Sequence, residues 1–241
     1  MNGHWAIVTG GSAGIGAAVC HRLLDAGWGV VSMSRRATPI DHPSLRSVEV
    51  DLGDVQATRA AALEACARHP VTAIVHNAGA MRAKLLPDVQ VADLEALTAL
   101  HLSAALVLVQ AALPEMRRQH FGRIVLVSSR AALGLATRTA YSATKAGMFG
   151  MARTWALELG ADGITCNVVA PGPIATDMFH EVIPREAAAI DATAAKIPVR
   201  RVGLPDDVAR AVMFFAAPDA GFVTGQALYV CGGTSIGSIT Y

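Results

Sequence analysis

Short runs rich in valine and isoleucine alternate along the chain with longer segments rich in alanine and leucine. The first run, HWAIVTG, ends in glycine, and the segment after it, IGAAVCHRLLDAG, carries apolar residues at helical spacing and stops at Gly27. The same alternation predicts strands in HWAIVTG and at 30–34, 45–51, 72–79, 122–129, 164–172 and 225–230, and helices in IGAAVCHRLLDAG and near 54–69, 93–119, 141–160 and 205–217.

The predicted strands are apolar throughout, with no regular alternation of polar residues. Such strands are buried on both faces, as in a parallel sheet that helices cover on each side. The pattern therefore predicts an α/β fold, a single Rossmann-type doubly wound domain over residues 1–241 with a seven-stranded parallel sheet flanked by helices.

One segment interrupts this rhythm. From Pro173 to about Arg201 the chain contains Pro184, Pro198 and only a weak helical pattern. A long insert after the carboxyl end of a strand is typical of a segment that covers a site. We expect a substrate lid at about 173–201. This segment and the loop at 130–138 should line the pocket, with Leu133, Leu135, Met178, Phe179, Val182 and Ile183 as apolar candidates and Arg138, His180 and Arg185 as polar ones.

Composition and charge exclude several classes of partner. Of 241 residues, 53% are hydrophobic and 16% charged, and the formal net charge is +1, so nothing indicates nucleic acid or an anionic membrane. The longest apolar run, at 103–116, is too short and interrupted to span a bilayer, and the N-terminus lacks the pattern of a signal peptide. We expect a cytoplasmic protein that acts on a small molecule.

The four cysteines, Cys20, Cys66, Cys166 and Cys231, lie far apart in the sequence. They form no C-x-x-C pair, and no histidine stands at a spacing that would complete a zinc site. We expect separate reduced thiols and no metal site.

A glycine-rich turn, TGGSAGIG at 9–16, follows the first predicted strand and opens the first predicted helix. This is the context that a dinucleotide site requires, because glycines let the backbone approach a pyrophosphate and the helix N-terminus offers unpaired N–H groups. At the end of the second strand stand Ser34, Arg35 and Arg36, where NAD-binding folds usually carry an acidic residue. Exchange of the acid for guanidinium groups favours a 2′-phosphate, so we predict NADP(H) in preference to NAD(H).

Five motifs together resemble the short-chain dehydrogenases/reductases, and in particular their 3-oxoacyl-reductase-like group. They are TGGSAGIG at 9–16, HNAG at 76–79, VSS at 127–129, YSATK at 141–145 and NVVAPGPIATDM at 167–178. The resemblance runs from Trp5 to about Gly233. It implies that Asp51 contacts the adenine, that Asn77, Ala78 and Gly79 lie along the cofactor, and that Pro171, Gly172, Ile174 and Thr176 wrap its nicotinamide end. The full set of predicted cofactor-binding residues is Thr9, Gly10, Ser12, Ala13, Gly14, Ile15, Gly16, Ser34, Arg35, Arg36, Asp51, Leu52, Asn77, Ala78, Gly79, Tyr141, Lys145, Pro171, Gly172, Ile174 and Thr176.

Tyr141 and Lys145 stand one helical turn apart, on the same face of a predicted helix. A free tyrosine has a pKa near 10, so an ammonium group nearby is expected to stabilise the phenolate and lower that pKa. The resemblance implies that this pair carries out the acid–base chemistry and that Lys145 also binds the nicotinamide ribose.

A serine is expected opposite the tyrosine, where it donates to the substrate oxygen. Ser128 has the commonest family spacing from Tyr141, whereas the alignment of the preceding strand indicates Ser129. We favour Ser129, because loops absorb deletions more readily than strands change register.

His101 stands where the family often carries an asparagine that anchors a water near the lysine. The residue is expected either to shuttle protons, since an unperturbed histidine titrates near neutrality, or to take no part in catalysis. Both alternatives stay open, and His101 joins Ser129, Tyr141 and Lys145 as a candidate catalytic residue.

The sequence predicts an NADPH-dependent carbonyl reductase that acts on a ketone, or on a secondary alcohol in reverse. The alternatives are an NAD-dependent secondary alcohol dehydrogenase and a catalytically silent dinucleotide-binding regulator. Apolar residues beyond one stripe of the helices near 93–119 and 141–160 indicate helix contacts between subunits. The resemblance implies a homotetramer or homodimer.

Overall fold

The computed structural model describes residues 3–236 and contains one sheet of seven parallel strands. In the sheet the strands follow the order β3-β2-β1-β4-β5-β6-β7. Their bounds are β1 Trp5–Thr9, β2 Gly29–Ser34, β3 Leu45–Glu49, β4 Val71–His76, β5 Gly122–Val127, β6 Ile164–Pro171 and β7 Ala227–Val230. The α/β prediction with seven parallel strands is confirmed. The five central strands are buried on both faces of the sheet, whereas β3 and β7 at its edges are partly exposed.

Helices cover both faces of the sheet. Their bounds are α1 Gly14–Asp25, α2 Val55–Arg68, α3 Val91–Thr98, α4 Ala104–Gln119, α5 Thr139–Leu159, α6 Asp177–His180, α7 Ala187–Ala194 and α8 Pro205–Ala216. One core joins α2, α4 and α5 to the sheet through residues such as Leu108, Met116 and Met148. A second core joins α1 and α8 to the opposite face through Leu23 and Phe215.

The helix predicted near 93–119 is present, with one π-helical turn inside it. The helices α3 and α4 are joined without a break by one π-helical turn, Ala99–Ser103, so the helical segment runs over Val91–Gln119. By length and composition alone this segment could cross a membrane. Leu97, Leu108 and Met116 of this segment are buried inside the protein, whereas Leu106 is 40% exposed.

The topology opens a crevice beside β1. Thr9, at the carboxyl end of β1, pairs in register with Met33 of β2 and His76 of β4. The chain leaves β1 toward β2 and β3 and then returns to β4 on the other side. This reversal of strand order is the place where ligands bind in open parallel sheets.

The segment 173–201 contains α6 and α7 and lies against the carboxyl ends of the strands. Near its start, Ile174 forms a bridge with Gly203, and the Ala175 N–H donates to the Gly203 carbonyl at 2.9 Å. The two ends of the segment are thereby tied together while α6 and α7 extend between them. Its role as a lid remains a prediction.

Candidate active site

A cavity of about 900 Å³ opens at the carboxyl ends of the strands. The glycine-rich turn, the ends of β2 and β4, the β5–α5 connection and the segment after β6 all contribute to its wall. Its lining includes every predicted cofactor-binding residue except Thr9 and Gly16. The fold therefore gathers distant parts of the sequence around one cavity.

The glycine-rich turn has the shape that a pyrophosphate site needs. Gly10 and Gly14 have φ values of +72° and +54°, in the left-handed region that favours glycine. The α1 helix starts after Ala13, whose side chain makes no capping hydrogen bond, so the first N–H groups of the helix are open to an anionic ligand. These residues fit the phosphates of a dinucleotide.

Thr9 and Gly16 support this turn without lining the cavity. The hydroxyl oxygen of Thr9 accepts hydrogen bonds from the N–H groups of Asn77 and Ala78 at 3.0 and 2.9 Å, so it joins β1 to the loop after β4. A Cβ on Gly16 would lie 2.1 Å from the Gly10 carbonyl oxygen. The prediction of direct cofactor contact is therefore not supported for either residue. Each contacts the backbone of the turn or of the loop after β4 and does not line the cavity.

The arginines after β2 are exposed at the far end of the cavity. Arg35 and Arg36 line it together with Ser34, whose hydroxyl donates to the Arg36 carbonyl at 2.7 Å. Neither arginine takes part in an ion pair within residues 3–236. Two unpaired guanidinium groups at this position fit a phosphate on the adenosine ribose.

The two candidate serines follow β5 and differ in their hydrogen bonds. The hydroxyl of buried Ser128 donates to the Lys145 carbonyl at 2.7 Å, so its proton is already in use. The oxygen of Ser129 accepts from the Ala131 N–H at 3.1 Å, which leaves the Ser129 proton available for a ligand. Both residues line the cavity, and the Ser129 hydroxyl lies beside the Tyr141 phenol. The geometry supports Ser129.

Tyr141 lies near the start of α5 and is 8% exposed. Burial raises the pKa of its phenol, whereas the hydrogen bond with Ser129 and the charge of Arg138 lower it. The charge expected to act on the phenol was that of Lys145, but the lysine ammonium lies 5.8 Å from the centre of the Tyr141 ring, over the ring itself. Arg138 is thus the cation that acts on the phenol in this structure.

Lys145 is fully enclosed behind Tyr141. Its ammonium group donates to the Val127 carbonyl at 2.7 Å, and burial lowers its pKa to about 7. No carboxylate within the described part of the chain forms an ion pair with it. A second N–H group of Lys145 faces the Met148 sulfur at 4.0 Å, and the third is available to a ligand in the cavity, whose wall Lys145 helps to form.

His101 lies in the π-helical turn, completely buried, and does not line the cavity. Its Nε2 accepts from the Ala80 N–H at 3.3 Å, so Nδ1 carries the proton and donates to the Thr144 hydroxyl at 2.8 Å. Burial, together with the charge of Lys145, strongly lowers the pKa of His101. The side chain packs edge-on against Tyr141, with ring centroids 5.7 Å apart. A neutral, fixed imidazole without access to the cavity fits a positioning role and does not support proton shuttling.

A second buried histidine, His76, was not singled out from the sequence. Its Nε2–H donates to the Leu100 carbonyl of the π-helical turn at 3.1 Å, and its Nδ1 lies 3.1 Å from the Thr9 hydroxyl. Burial lowers its pKa to about 3. Its place in the motif HNAG was visible in the sequence, but its partners come from elements far apart in the chain.

The wall near Tyr141 is largely apolar. Of the side chains expected there from the sequence, those that line the cavity are Leu135, Arg138, Met178, Phe179, Val182 and Ile183. Leu133, His180 and Arg185 do not, and Arg185 instead pairs with Asp177 at 2.9 Å. The structure adds side chains that the sequence did not indicate, including Met81, Arg82, Leu97 and Leu100.

Metal ligands and disulfides are absent from the described residues 3–236. No group of three or more histidine, cysteine, aspartate or glutamate side chains is placed there to hold a metal ion. The four cysteines are free, and those at 20, 166 and 231 are buried.

Comparison with known proteins gives matches over nearly the whole chain. The family model described as enoyl-(acyl carrier protein) reductase matches residues 10–235. The subunit BbsD of (2S)-[(R)-hydroxy(phenyl)methyl]succinyl-CoA dehydrogenase from Thauera aromatica is 37% identical, over 96% of this chain and 96% of that protein. The 3-oxoacyl-[acyl-carrier-protein] reductase MabA of Mycobacterium tuberculosis is 36% identical, over 96% of this chain and 92% of that protein.

A solved structure shows the same fold with a ligand. It is a protein from Beutenbergia cavernae assigned as an NAD(P)-dependent gluconate 5-dehydrogenase, with NADP bound at low occupancy. It is 31% identical, covers 96% of each chain and superposes with a TM-score of 0.88. Its ligand agrees with the NADP(H) predicted for the present sequence.

These matches and the site geometry agree with the resemblance carried by the sequence motifs. The relatives act on hydroxyl or oxo groups, as their names state. The chain belongs to the short-chain dehydrogenase/reductase family, in its 3-oxoacyl-reductase-like group, and is an oxidoreductase of CH–OH and C=O groups.

Proposed function

We propose that this protein is an NADPH-dependent carbonyl reductase that converts a ketone to a secondary alcohol. One observation carries the proposal: the available hydroxyl of Ser129 and the phenol of Tyr141 meet on the cavity wall, with the ammonium of Lys145 enclosed behind them. These groups supply what a carbonyl oxygen needs as negative charge develops on it, namely a hydrogen-bond donor and a proton donor.

In the proposed reaction, Ser129 donates a hydrogen bond to the substrate oxygen and Tyr141 gives that oxygen its proton. Lys145, held by the Val127 carbonyl, keeps a positive charge close to the phenol ring. Bound NADP(H) supplies hydride to the carbonyl carbon, or accepts it in the reverse direction. His101 holds the start of α5 through Thr144 and thereby orients Tyr141.

The preference for NADP(H) rests on the unpaired arginines at the end of β2. Arg35 and Arg36 offer charge-assisted hydrogen bonds to a 2′-phosphate and leave no carboxylate for a free ribose hydroxyl. The NADP found in the structure from Beutenbergia cavernae supports this choice. The remaining cofactor-binding residues are the cavity-lining members of the predicted set.

The apolar wall supports an aliphatic or aromatic ketone as substrate. Met178, Phe179, Val182 and Ile183 come from the segment 173–201, which we propose as a lid that excludes water. The acyl-thioester substrates named for the two relatives place a 3-oxoacyl thioester among the candidates.

The experiment is a measurement of initial rates with NADPH and with NADH over a panel of ketones, diketones and 3-oxoacyl thioesters. Turnover with NADPH that collapses in Tyr141→Phe supports the proposal. Faster turnover with NADH would favour the NAD-dependent alcohol dehydrogenase instead. Saturable NADPH binding without turnover of any compound would favour the silent regulator.

We further propose a cytoplasmic homo-oligomer. Leu106 of α4 and Leu157 of α5 are 40% and 88% exposed, although Val109 and Met148 on the same helices are buried within the chain. Sedimentation velocity should give a dimer or tetramer, and a monomer at micromolar concentration would contradict this assembly.

A further inference from the structure

Arg138 carries a buried positive charge at the wall of the active-site cavity. The residue is 7% exposed and lines the cavity beside Tyr141. Its Nη1 group donates to the carbonyl and the hydroxyl of the adjacent Thr137, and its Nε has no hydrogen-bond partner. A guanidinium group has five N–H donors, so most of the donors of Arg138 are left without a partner in residues 3–236.

The acidic side chains of the neighbouring segments are already engaged. Asp93 accepts from Arg82 at 2.9 Å and from Lys84 at 2.7 Å, one cation on each carboxylate oxygen. Asp177, in the lid, pairs with Arg185. Within the described chain, no carboxylate neutralises Arg138.

The backbone of Arg138 is held in place. Its N–H donates to the Leu135 carbonyl at 3.1 Å, its carbonyl accepts from the Ser142 N–H at 2.7 Å, and the residue forms a bridge with Lys84. The Nη1 hydrogen bonds to Thr137 hold the guanidinium in turn, and a guanidinium that is fixed before a ligand arrives loses less entropy when it binds one. The arrangement is therefore suited to recognition.

The position of Arg138 places its charge at the catalytic end of the cavity. Arg138 is the N-cap residue of α5 and Tyr141 lies in the first turn of that helix, so both side chains line the cavity from the same end of α5. The cavity wall around them is apolar and carries Leu97, Leu135 and Phe179. An unpaired buried cation is costly unless a ligand supplies the opposite charge.

We propose that Arg138 binds a carboxylate of the substrate and that the substrates are oxo acids with the carboxylate close to the reducible carbonyl. Planar guanidinium and carboxylate groups match through two parallel hydrogen bonds. The opposite reaction oxidises the corresponding hydroxy acid. This assignment rests on the proposed reductase function and specifies its substrate class.

The test uses matched pairs of acids and esters: benzoylformate, 3-oxo-3-phenylpropanoate and 4-oxo-4-phenylbutanoate, each against its own methyl ester. Binding is measured by isothermal titration calorimetry with NADP⁺ present, and turnover is measured with NADPH. The variants are Arg138→Met, which keeps the apolar length, Arg138→Lys, which keeps the charge, and Arg68→Met, on the surface of α2 outside the cavity and the lid, as a control. A third probe, 3-oxobutanoyl-CoA, carries phosphates but no carboxylate. Thermal unfolding verifies that each variant folds.

We expect wild type to bind at least one acid more tightly than its ester. In Arg138→Met the affinity for that acid should fall by about 30-fold or more, because the buried carboxylate is left without its charged partner. The affinity for the ester should change by less than about threefold. Arg138→Lys should recover part of the loss, and Arg68→Met should behave as wild type. Equal losses for acid and ester, no preference for any acid, or a loss confined to 3-oxobutanoyl-CoA would overturn the assignment.

The binding arm separates this inference from the proposed function. Selective acid binding that depends on Arg138, without turnover, would retain the carboxylate site and reject the reductase. Turnover of esters and acids with equal sensitivity to Arg138→Met would retain the reductase and reject the carboxylate site.

Discussion

The two adjacent serines after β5 allow a direct test of the catalytic assignment. Ser129→Ala removes a hydrogen-bond donor that is available to the substrate, whereas Ser128→Ala removes a hydrogen bond of 2.7 Å to the Lys145 carbonyl inside α5. The same chemical change is thus made twice, one residue apart, in two different environments. We expect the first substitution to affect the reaction and the second to affect stability.

The structure sets the expected magnitudes. Loss of one donor to a developing oxyanion costs about 10²–10³-fold in kcat, so Ser129→Ala should fall in that range with little change in Tm. Loss of one buried hydrogen bond costs about 1 kcal/mol, which for a chain of this size lowers Tm by about 2–4 °C. Ser128→Ala should show that decrease and keep most of its activity.

The assay combines steady-state kinetics on the best ketone from the panel with thermal unfolding of both variants. A larger loss of kcat in Ser128→Ala than in Ser129→Ala would refute the reasoning, because it would mean that the serine bound to the helix carbonyl is the one that acts on substrate. Equal kinetic losses, with equal decreases in Tm, would show that neither hydroxyl has the assigned role.

Three further predictions concern the cofactor end, the buried lysine and the buried histidine. Replacement of Arg35 and Arg36 by serine should lower the NADPH-to-NADH ratio of kcat/KM by about 10- to 100-fold, since each charge-assisted hydrogen bond contributes about 1.5–3 kcal/mol. Steady-state rates with each cofactor, together with NADPH fluorescence titration, check this prediction. An unchanged ratio would place the 2′-phosphate elsewhere. Because Lys145 has a pKa of about 7 when folded against an ordinary 10.5, the unfolded chain binds the extra proton between these values, and stability without cofactor should rise with pH there. Urea unfolding from pH 7 to 9.5 should show wild type gaining up to about 1.4 kcal/mol per pH unit relative to Lys145→Met, and parallel profiles would show that the lysine is not buried in solution. His101→Asn should retain kcat, far from the roughly 10²–10⁴-fold loss that follows removal of a proton-transfer group; it should also make the fall in stability below pH 6.5 shallower, because the unfolded chain takes up a proton that buried His101 does not. A large loss of kcat with unchanged stability would restore the proton shuttle.

The sequence predicted most of the fold because the periodic signal was strong and local. Strands such as Val71–His76 and Ile164–Pro171 are apolar at nearly every position, and a parallel sheet buried on both faces is the structure that accommodates them. The helix near 93–119 was predicted as well, but nothing in its periodicity indicated the π-helical turn at Ala99–Ser103, whose Leu100 carbonyl accepts a hydrogen bond from His76 of β4.

The site residues divide in the same way. Residues whose role follows from a local motif, such as Tyr141 and Lys145, lie at the cavity as predicted. Residues whose role depends on a distant partner were harder to place. Thr9 accepts a hydrogen bond from the loop after β4, and the burial of Arg138 distinguishes it from the other arginines near the site.

By itself, the sequence determined the class of fold, the glycine-rich nucleotide turn, the family and the tyrosine–lysine pair, because these depend on periodicity and on residues close together in the chain. Only the tertiary structure decided which serine has an available hydroxyl, which nitrogen of His101 carries the proton, and which cation acts on Tyr141. Each of these depends on burial and on hydrogen bonds that join elements distant in sequence, and composition and spacing do not identify such partners.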